Sequence, residues 1–95
     1  MRIIGFGLLD EFYEKNTLCQ KWITNWIADV RFSRWGSSHD VKSKFPSCSI
    51  LEENIIVFPM GISGYCIKTQ IAFKLGVVAV TWTGKQLEDF GQVNG

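Results

Sequence analysis

Residues 55–83 constrain the fold of this chain more than any other stretch, because a β-branched and aromatic run is followed there by runs in which apolar side chains alternate with smaller or polar ones. Two turns that contain glycine, around Gly61 and Gly76, divide the stretch into three runs. This pattern predicts three antiparallel strands of one sheet. A slip of one residue in the pairing would turn the apolar side chains of a strand to the opposite face, so we expect a well-specified register.

The middle strand shows the alternation most clearly. Since successive side chains of a strand point to opposite faces, the run from Tyr65 to Phe73 predicts one apolar and one polar face. The apolar face carries Tyr65, Ile67, Thr69, Ile71 and Phe73, and continues in Val78, Val80 and Trp82. The other face carries Cys66, Lys68, Gln70, Ala72 and Lys74, and continues in Val77, Ala79, Thr81 and Thr83. We name this second side of the sheet the open face and expect functional residues on it.

Two amphipathic helices are predicted before the strands. The first spans Gly7 to Lys15, and the second follows a break at Asn16-Thr17, where a polar side chain can cap a helix. The apolar stripe of the second helix consists of Leu18, Trp22, Ile23, Trp26, Ile27 and Val30. We expect this stripe to cover the apolar face of the sheet, because both surfaces need a partner layer.

The remaining segments complete a predicted α+β architecture. Arg2-Ile3-Ile4 fits either a short edge strand or the lead into the first helix. Asp40 to Lys44 predicts a short helix, residues 47–54 a loop, and Lys85 to Phe90 a helical turn. All 95 residues are therefore predicted to form a single domain, with two N-terminal helices packed on an antiparallel sheet of three long strands.

Composition restricts the class of protein. Apolar residues make up 46% of the chain and only two residues are proline, which is typical of a compact globule. A net charge of +1 argues against a strong whole-molecule attraction to nucleic acid but allows a local basic patch. No apolar run approaches the roughly 20 residues that span a bilayer, and the N-terminus lacks the pattern of a signal peptide. A cytoplasmic protein is therefore expected.

The cysteines favour reduced thiols in the core. Cys19, Cys48 and Cys66 are odd in number and widely spaced, without a Cys-x-x-Cys pair. This spacing argues against a disulfide framework and against a zinc site. We predict no metal and no cofactor.

Several blocks of the chain resemble one protein family. They are Trp35-Gly36-Ser37-Ser38-His39-Asp40-Val41-Lys42, Phe45-Pro46-Ser47-Cys48-Ser49-Ile50-Leu51, Ile56-Val57-Phe58, Gly64-Tyr65-Cys66-Ile67 and Val80-Thr81-Trp82-Thr83-Gly84. In order and spacing they resemble the HigB-type toxins of bacterial toxin–antitoxin modules, which are relatives of RelE, over the region from Phe12 to about Phe90. The resemblance implies a RelE/ParE-like fold and an mRNA-cleaving toxin that usually acts at the ribosome. It also implies a partner antitoxin, of the helix-turn-helix HigA-like type.

Two positions depart from the pattern of that family. Where the family has Asn-x-Tyr-Arg on the middle strand, the arginine position is Cys66, and where it ends the last strand with Gly-Thr-His-x-x-Tyr-Asp, the histidine position is Gln86. Glutamine is neither an acid nor a base near neutral pH, and a thiol cannot replace the guanidinium fork on a phosphate. The resemblance therefore implies a ribonuclease with weakened catalysis.

Lysines are the main remaining candidates for chemistry on RNA. Cleavage through the 2′-hydroxyl needs groups that transfer protons and cations that balance the charge of the transition state. The predicted catalytic group is Lys68 and Lys85 together with Cys66 and Gln86. The predicted RNA-binding residues are Arg31, Arg34, Lys42, Lys44 and Lys74. We expect these residues on or beside the open face, where their charges can converge on a phosphate.

Other readings of the same residues remain open. Tyr65 matches the tyrosine of the family pattern, but alternation points it to the apolar face and predicts core packing. His39 is the one histidine and a candidate base, or an ordinary exposed residue. A toxin-derived protein that binds antitoxin or RNA without cleaving it is favoured by Cys66 and Gln86. A ParE-like toxin that acts on gyrase shares the fold, because a fold alone does not define an activity.

Overall fold

The structure, a computed structural model, describes residues 1–85 of the chain. Its elements, in order, are β1 (Arg2–Ile4), α1 (Phe6–Lys15), a 3₁₀ turn (Thr17–Cys19), α2 (Gln20–Arg31), α3 (Ser38–Lys44), β2 (Ser49–Glu52), β3 (Ile55–Pro59), β4 (Tyr65–Ala72) and β5 (Val77–Lys85). The predicted α+β class is confirmed. None of the helices within residues 1–85 combines the length and the apolar character needed to cross a bilayer.

The described sheet has five strands in the order β1-β5-β4-β3-β2. Strands β2 to β5 pair antiparallel with their neighbours, and β1 pairs parallel with β5. The predicted antiparallel trio is therefore confirmed as β3, β4 and β5, and the short N-terminal strand lies at one edge. The prediction of three long strands is incomplete, and the loop predicted for residues 47–54 is wrong. Ser49 and Ile50 pair with Val57 and Ile56, so backbone bonding to β3 makes a strand of residues without an alternating pattern.

All three helices contribute to one core on the face of the sheet opposite the open face. Its buried members are Ile3, Leu9, Phe12, Cys19, Ile23, Trp26, Val30, Trp35, Val41, Cys48, Ile56, Phe58, Met60, Ile67, Ile71, Val78 and Val80. Trp22 and Phe73, whose apolar pattern predicts burial in this core, are only half-buried at its margin. Each large side chain buried in this way contributes roughly 2–3 kcal/mol. The predicted packing of the second helix on the sheet is confirmed.

The start of α2 differs from the sequence-based prediction. A 3₁₀ turn occupies Thr17–Cys19, so the α-helix begins at Gln20. Leu18 is 78% exposed and does not belong to the apolar stripe, although its spacing placed it there. Cys19 is buried instead. The tighter turn rotates this segment relative to an ideal α-helix, because a 3₁₀ helix has three residues per turn and an α-helix 3.6.

A β-bulge changes the faces of the last strand. Lys68 pairs with Trp82 and Thr69 with Val80, so Thr81 is the extra residue. Residues directly opposite each other in an antiparallel pair share a face. Trp82 therefore lies with Lys68 on the open face, and Lys85, opposite Tyr65, lies on the helix-covered face. The predictions that Trp82 belongs to the core and that Lys85 lies on or beside the open face are wrong.

The connection between β1 and α1 depends on a glycine. Gly5 has a φ of +88°, in the left-handed region that side chains with a Cβ disfavour. A Cβ added at this position would overlap the carbonyl oxygen of Val80 and lie 3.1 Å from the Val80 nitrogen. This close approach holds the first turn of α1 against β5.

Candidate functional site

The predicted catalytic lysines lie on opposite faces of the sheet. Lys68 is half-buried on the open face, opposite Val57 on one neighbouring strand and Trp82 on the other. Lys85 ends β5 on the helix-covered face, with its ammonium nitrogen 5.4 Å from the centre of the Tyr65 ring. The structure therefore does not bring these two side chains to one reacting phosphate.

Of the two positions that depart from the family pattern, Cys66 and Gln86, only Cys66 lies within the described residues. Cys66 is fully buried, opposite Pro59 on β3 and Gly84 on β5. Its thiol is therefore not presented to a ligand in solution. Gln86 lies outside the described residues, as do the rest of the predicted C-terminal turn and the tail after it. Lys85 itself belongs to a strand and not to that turn.

Tyr65 packs against the helix layer. Its ring meets that of Phe12 on α1 edge to face, with 5.1 Å between the centroids. The predicted orientation of Tyr65 toward the apolar face is confirmed. Because the side chain is only half-buried and Lys85 lies over its ring, this end of β4 offers a phenol and an ammonium group beside one another.

Four cationic side chains line one cleft near the opposite end of β4. This cleft, which we name the basic cleft, measures about 580 Å³ and is lined in part by Arg2, Arg31, Arg34 and Lys74. Arg31 and Arg34 come from the end of α2 and the segment after it, and Lys74 comes from the turn between β4 and β5. Three of the predicted RNA-binding residues are thus brought together. No carboxylate of residues 1–85 lines this cleft.

Arg2 is a residue of the basic cleft that the sequence does not predict. Its backbone nitrogen donates a hydrogen bond of 2.7 Å to the carbonyl oxygen of Gly76, and it pairs with Val77. This parallel pairing of β1 with β5 brings Arg2 to the same turn as Lys74. The local sequence contains no signal for the pairing, because parallel strands are joined through distant segments of the chain.

Aromatic side chains accompany the cations. Trp35 and Phe73 line the basic cleft, and Phe32, between Arg31 and Arg34 in the sequence, is 90% exposed. An exposed aromatic ring beside cations can stack on a base while the cations bind phosphates. The arrangement is therefore suited to a single-stranded nucleic acid.

The two lysines of α3 do not line the basic cleft. The Lys42 ammonium donates a 2.5 Å hydrogen bond to the carbonyl oxygen of Cys48 and so helps to hold the segment after α3. Lys44 lies at a separate cleft of about 440 Å³. His39 is exposed on the same helix, and its backbone carbonyl accepts a hydrogen bond from Ser43.

The comparison with known families identifies the group of proteins to which the chain is related. Residues 19–87 match the sequence model of the family described as HigB_toxin, RelE-like toxic component of a toxin-antitoxin system. The chain belongs to this HigB toxin family. The resemblance found in the sequence is confirmed, and the α+β architecture is consistent with a RelE-like fold. Among curated proteins, no sequence matches the chain significantly.

Family membership defines the biological setting in broad terms. The protein is a toxin of a toxin–antitoxin system, and an antitoxin is its expected partner. The matched region contains Arg31, Arg34 and Lys74 but begins after α1, so Arg2 lies outside it. Across residues 1–85, no group of three or more metal-binding side chains comes together.

Proposed function

We propose that this HigB-family toxin is an mRNA interferase that binds RNA at the ribosome through its basic cleft and cleaves it slowly. The observation that carries the proposal is the convergence of Arg2, Arg31, Arg34 and Lys74 on one cleft without a lining carboxylate. These cations belong to a chain whose net charge is only +1. Their concentration in one cleft therefore favours the binding of a specific polyanionic ligand over non-specific electrostatic binding.

The slow rate follows from the departures in the catalytic pattern. A guanidinium that binds the reacting phosphate stabilises charge in the transition state, and the buried thiol of Cys66 supplies no such group. Losing one such group costs about 10² to 10³ in rate. Lys85 beside Tyr65, or Lys68 on the other face, remains as the candidate for charge stabilisation and proton transfer.

A second candidate is a toxin-derived protein that binds its antitoxin or RNA without cleavage. The separation of Lys68 and Lys85 onto opposite faces favours it, since two groups on different sides of a sheet cannot act on one phosphate. The two candidates share the basic cleft. They differ in whether either lysine is needed for activity.

The binding step is tested by a matched pair of double variants. Arg31→Ala with Arg34→Ala removes two cations from the basic cleft, whereas Lys15→Ala with Lys21→Ala removes two exposed cations elsewhere. Affinity for a 20-nucleotide single-stranded RNA is measured between about 50 and 200 mM KCl. Each lost phosphate contact lowers the slope of log affinity against log salt by about 0.7. We expect a decrease of about 1.4 for the first variant and almost none for the second, with circular dichroism as the check on folding.

An equal decrease of the salt-dependence slope in the two double variants would contradict the binding proposal, because RNA would then respond to the overall charge of the protein and not to the basic cleft. Binding to purified ribosomes, measured with the same variants, tests the proposed location of activity. Loss of RNA affinity without loss of ribosome binding would separate the two ligands.

The cleavage step is tested by Lys68→Ala and Lys85→Ala as single variants. Because these lysines lie on opposite faces, we expect only one substitution to remove growth arrest and mRNA cleavage on induction, by about 10² or more in rate. The substitution that does so identifies the face that carries the chemistry. Full activity in both variants would refute a lysine-based site. No cleavage by the native chain would favour the second candidate.

A further inference from the structure

A second cleft in the molecule has a different chemical character from the basic cleft. Its walls are mostly apolar and come from α2, from the segment after α3 and from the end of β3; we name it the apolar cleft. Its lining residues are Trp22, Lys44, Phe45, Pro46, Ser47, Cys48, Phe58, Pro59, Met60 and Gly61. Its volume of about 440 Å³ is in the range of ligand-binding pockets. No residue lines both clefts.

The walls of the apolar cleft are held in place by ring contacts. Trp22 stacks on Trp26 with centroids 6.4 Å apart, and Phe45 meets Phe58 edge to face at 5.1 Å. Trp26 and Phe58 are buried, whereas Trp22 and Phe45 are only half-buried and keep apolar surface in contact with water. A binding partner therefore meets a preformed apolar site and needs no rearrangement of the core.

Lys44 is the charged residue of the apolar cleft. It is exposed, and no carboxylate of residues 1–85 lines the cleft with it. The ion pair within residues 1–85 joins Lys15 and Glu11, at 3.2 Å. Lys44 therefore has no acidic partner among these residues. Charge complementarity therefore favours a carboxylate or another anion on the molecule that fills this cleft.

The lining favours a peptide over a nucleotide. A nucleobase needs hydrogen-bond partners for its edge, and besides Lys44 the lining has few polar side-chain groups: the Ser47 hydroxyl, the Trp22 indole N–H and the Cys48 thiol. It also has one cationic side chain, whereas the basic cleft has four. A bulky apolar side chain with a carboxylate nearby satisfies both the apolar walls and Lys44.

We propose that the apolar cleft is a docking site for the antitoxin. It takes a Leu, Ile, Phe or Trp side chain of an antitoxin segment, with an Asp or Glu one to four residues away that pairs with Lys44. A buried apolar anchor with a charged pair at its rim is the usual anatomy of a protein interface. This proposal depends on membership of a toxin family and not on RNA cleavage, so it can be tested independently of the proposed enzymatic function.

The probe for this site is a random 12-residue peptide library displayed on phage and selected against the immobilised native chain. We expect selected peptides to combine a bulky apolar residue with an acidic residue at the stated spacing. A synthetic peptide of the consensus sequence is then measured against Lys44→Glu, with Lys21→Glu as the matched reversal of an exposed charge on α2. Lys44→Glu should weaken binding about tenfold, and replacing the acidic residue of the peptide by lysine should restore it.

Three results with the peptides would overturn the proposal: selected peptides without an acidic residue, equal affinity in the two charge reversals, or competition of the peptide by a short oligoribonucleotide. In cells, the cognate antitoxin should neutralise Lys21→Glu and fail to neutralise Lys44→Glu fully. Equal neutralisation of both would place the antitoxin elsewhere. Because Lys44 is exposed, its reversal leaves the core intact, which thermal unfolding verifies.

Discussion

Because Gly5 lies close to the backbone of Val80, replacing glycine by alanine should have opposite effects on stability at Gly5 and at Gly7, near the start of α1. Gly5→Ala forces an alanine into the left-handed region, which costs about 1–2 kcal/mol. The new methyl group also overlaps backbone atoms of Val80, which have no side-chain rotation to relieve the strain. Together we expect a loss of about 3 kcal/mol in the free energy of unfolding.

Gly7→Ala is the matched control, two residues further along. A Cβ at Gly7 meets open space, and the position lies inside α1, where alanine favours the helix by about 0.5–1 kcal/mol over glycine. The variants therefore differ by about 4 kcal/mol for the same chemical change.

Urea unfolding monitored by circular dichroism measures this difference. With a slope near 2 kcal/mol/M, Gly5→Ala should lower the midpoint by about 1.5 M and Gly7→Ala should raise it slightly. A Gly5→Ala variant within about 1 kcal/mol of the native chain would refute the close packing of α1 on β5. Shifts of both variants in the same direction would refute it as well.

Two other properties of the core can be checked in solution. Trp26→Ala should lower the free energy of unfolding by about 3–5 kcal/mol, because the ring is almost completely buried against Phe58. Leu18→Ala, at a position 78% exposed, should change it by no more than about 0.5 kcal/mol. Similar losses for the two variants would contradict the observed start of α2. Burial raises the pKa of the Cys19 and Cys48 thiols above the ordinary value, so both should resist iodoacetamide at pH 8 until urea unfolds the chain. The stabilisation from these neutral thiols is fully present below the ordinary thiol pKa and is lost as pH rises through the folded-state pKa. The urea midpoint of unfolding should therefore fall between pH 8 and pH 11. A rise in the midpoint would contradict the burial of the thiols.

The parts of the fold that the sequence predicts are those with a local pattern. Alternation in β4 and helical spacing in α2 both report which side of an element is buried, because a buried face must be apolar. The strand β2 has no such pattern, since Ile50 and Leu51 remain exposed and only the backbone bonding to β3 defines it. The Thr81 bulge is likewise set by strand pairing, and one extra residue exchanges the faces of Trp82 and Lys85.

The same limit applies to the site. Arg31 and Arg34 were predictable as a pair because they are close in sequence, and Lys74 because it follows a strand. Their meeting with Arg2 depends on a parallel pairing between the two ends of the described chain, for which no short-range signal exists. The burial of Cys66 agrees with the prediction of reduced thiols in the core, whereas alternation alone places that residue on the open face.

Trp35 lies between the two proposed binding surfaces. Its ring lines the basic cleft, and it lies 6.4 Å from the ring of Phe58 and 6.0 Å from that of Phe45, which line the apolar cleft. In genetic terms, these ring contacts make substitutions of Trp35 pleiotropic: a screen for loss of toxicity and a screen for escape from the antitoxin would both recover them. Substitutions of Arg34 and Lys44 would each appear in one screen, and only such single-phenotype alleles distinguish the two surfaces.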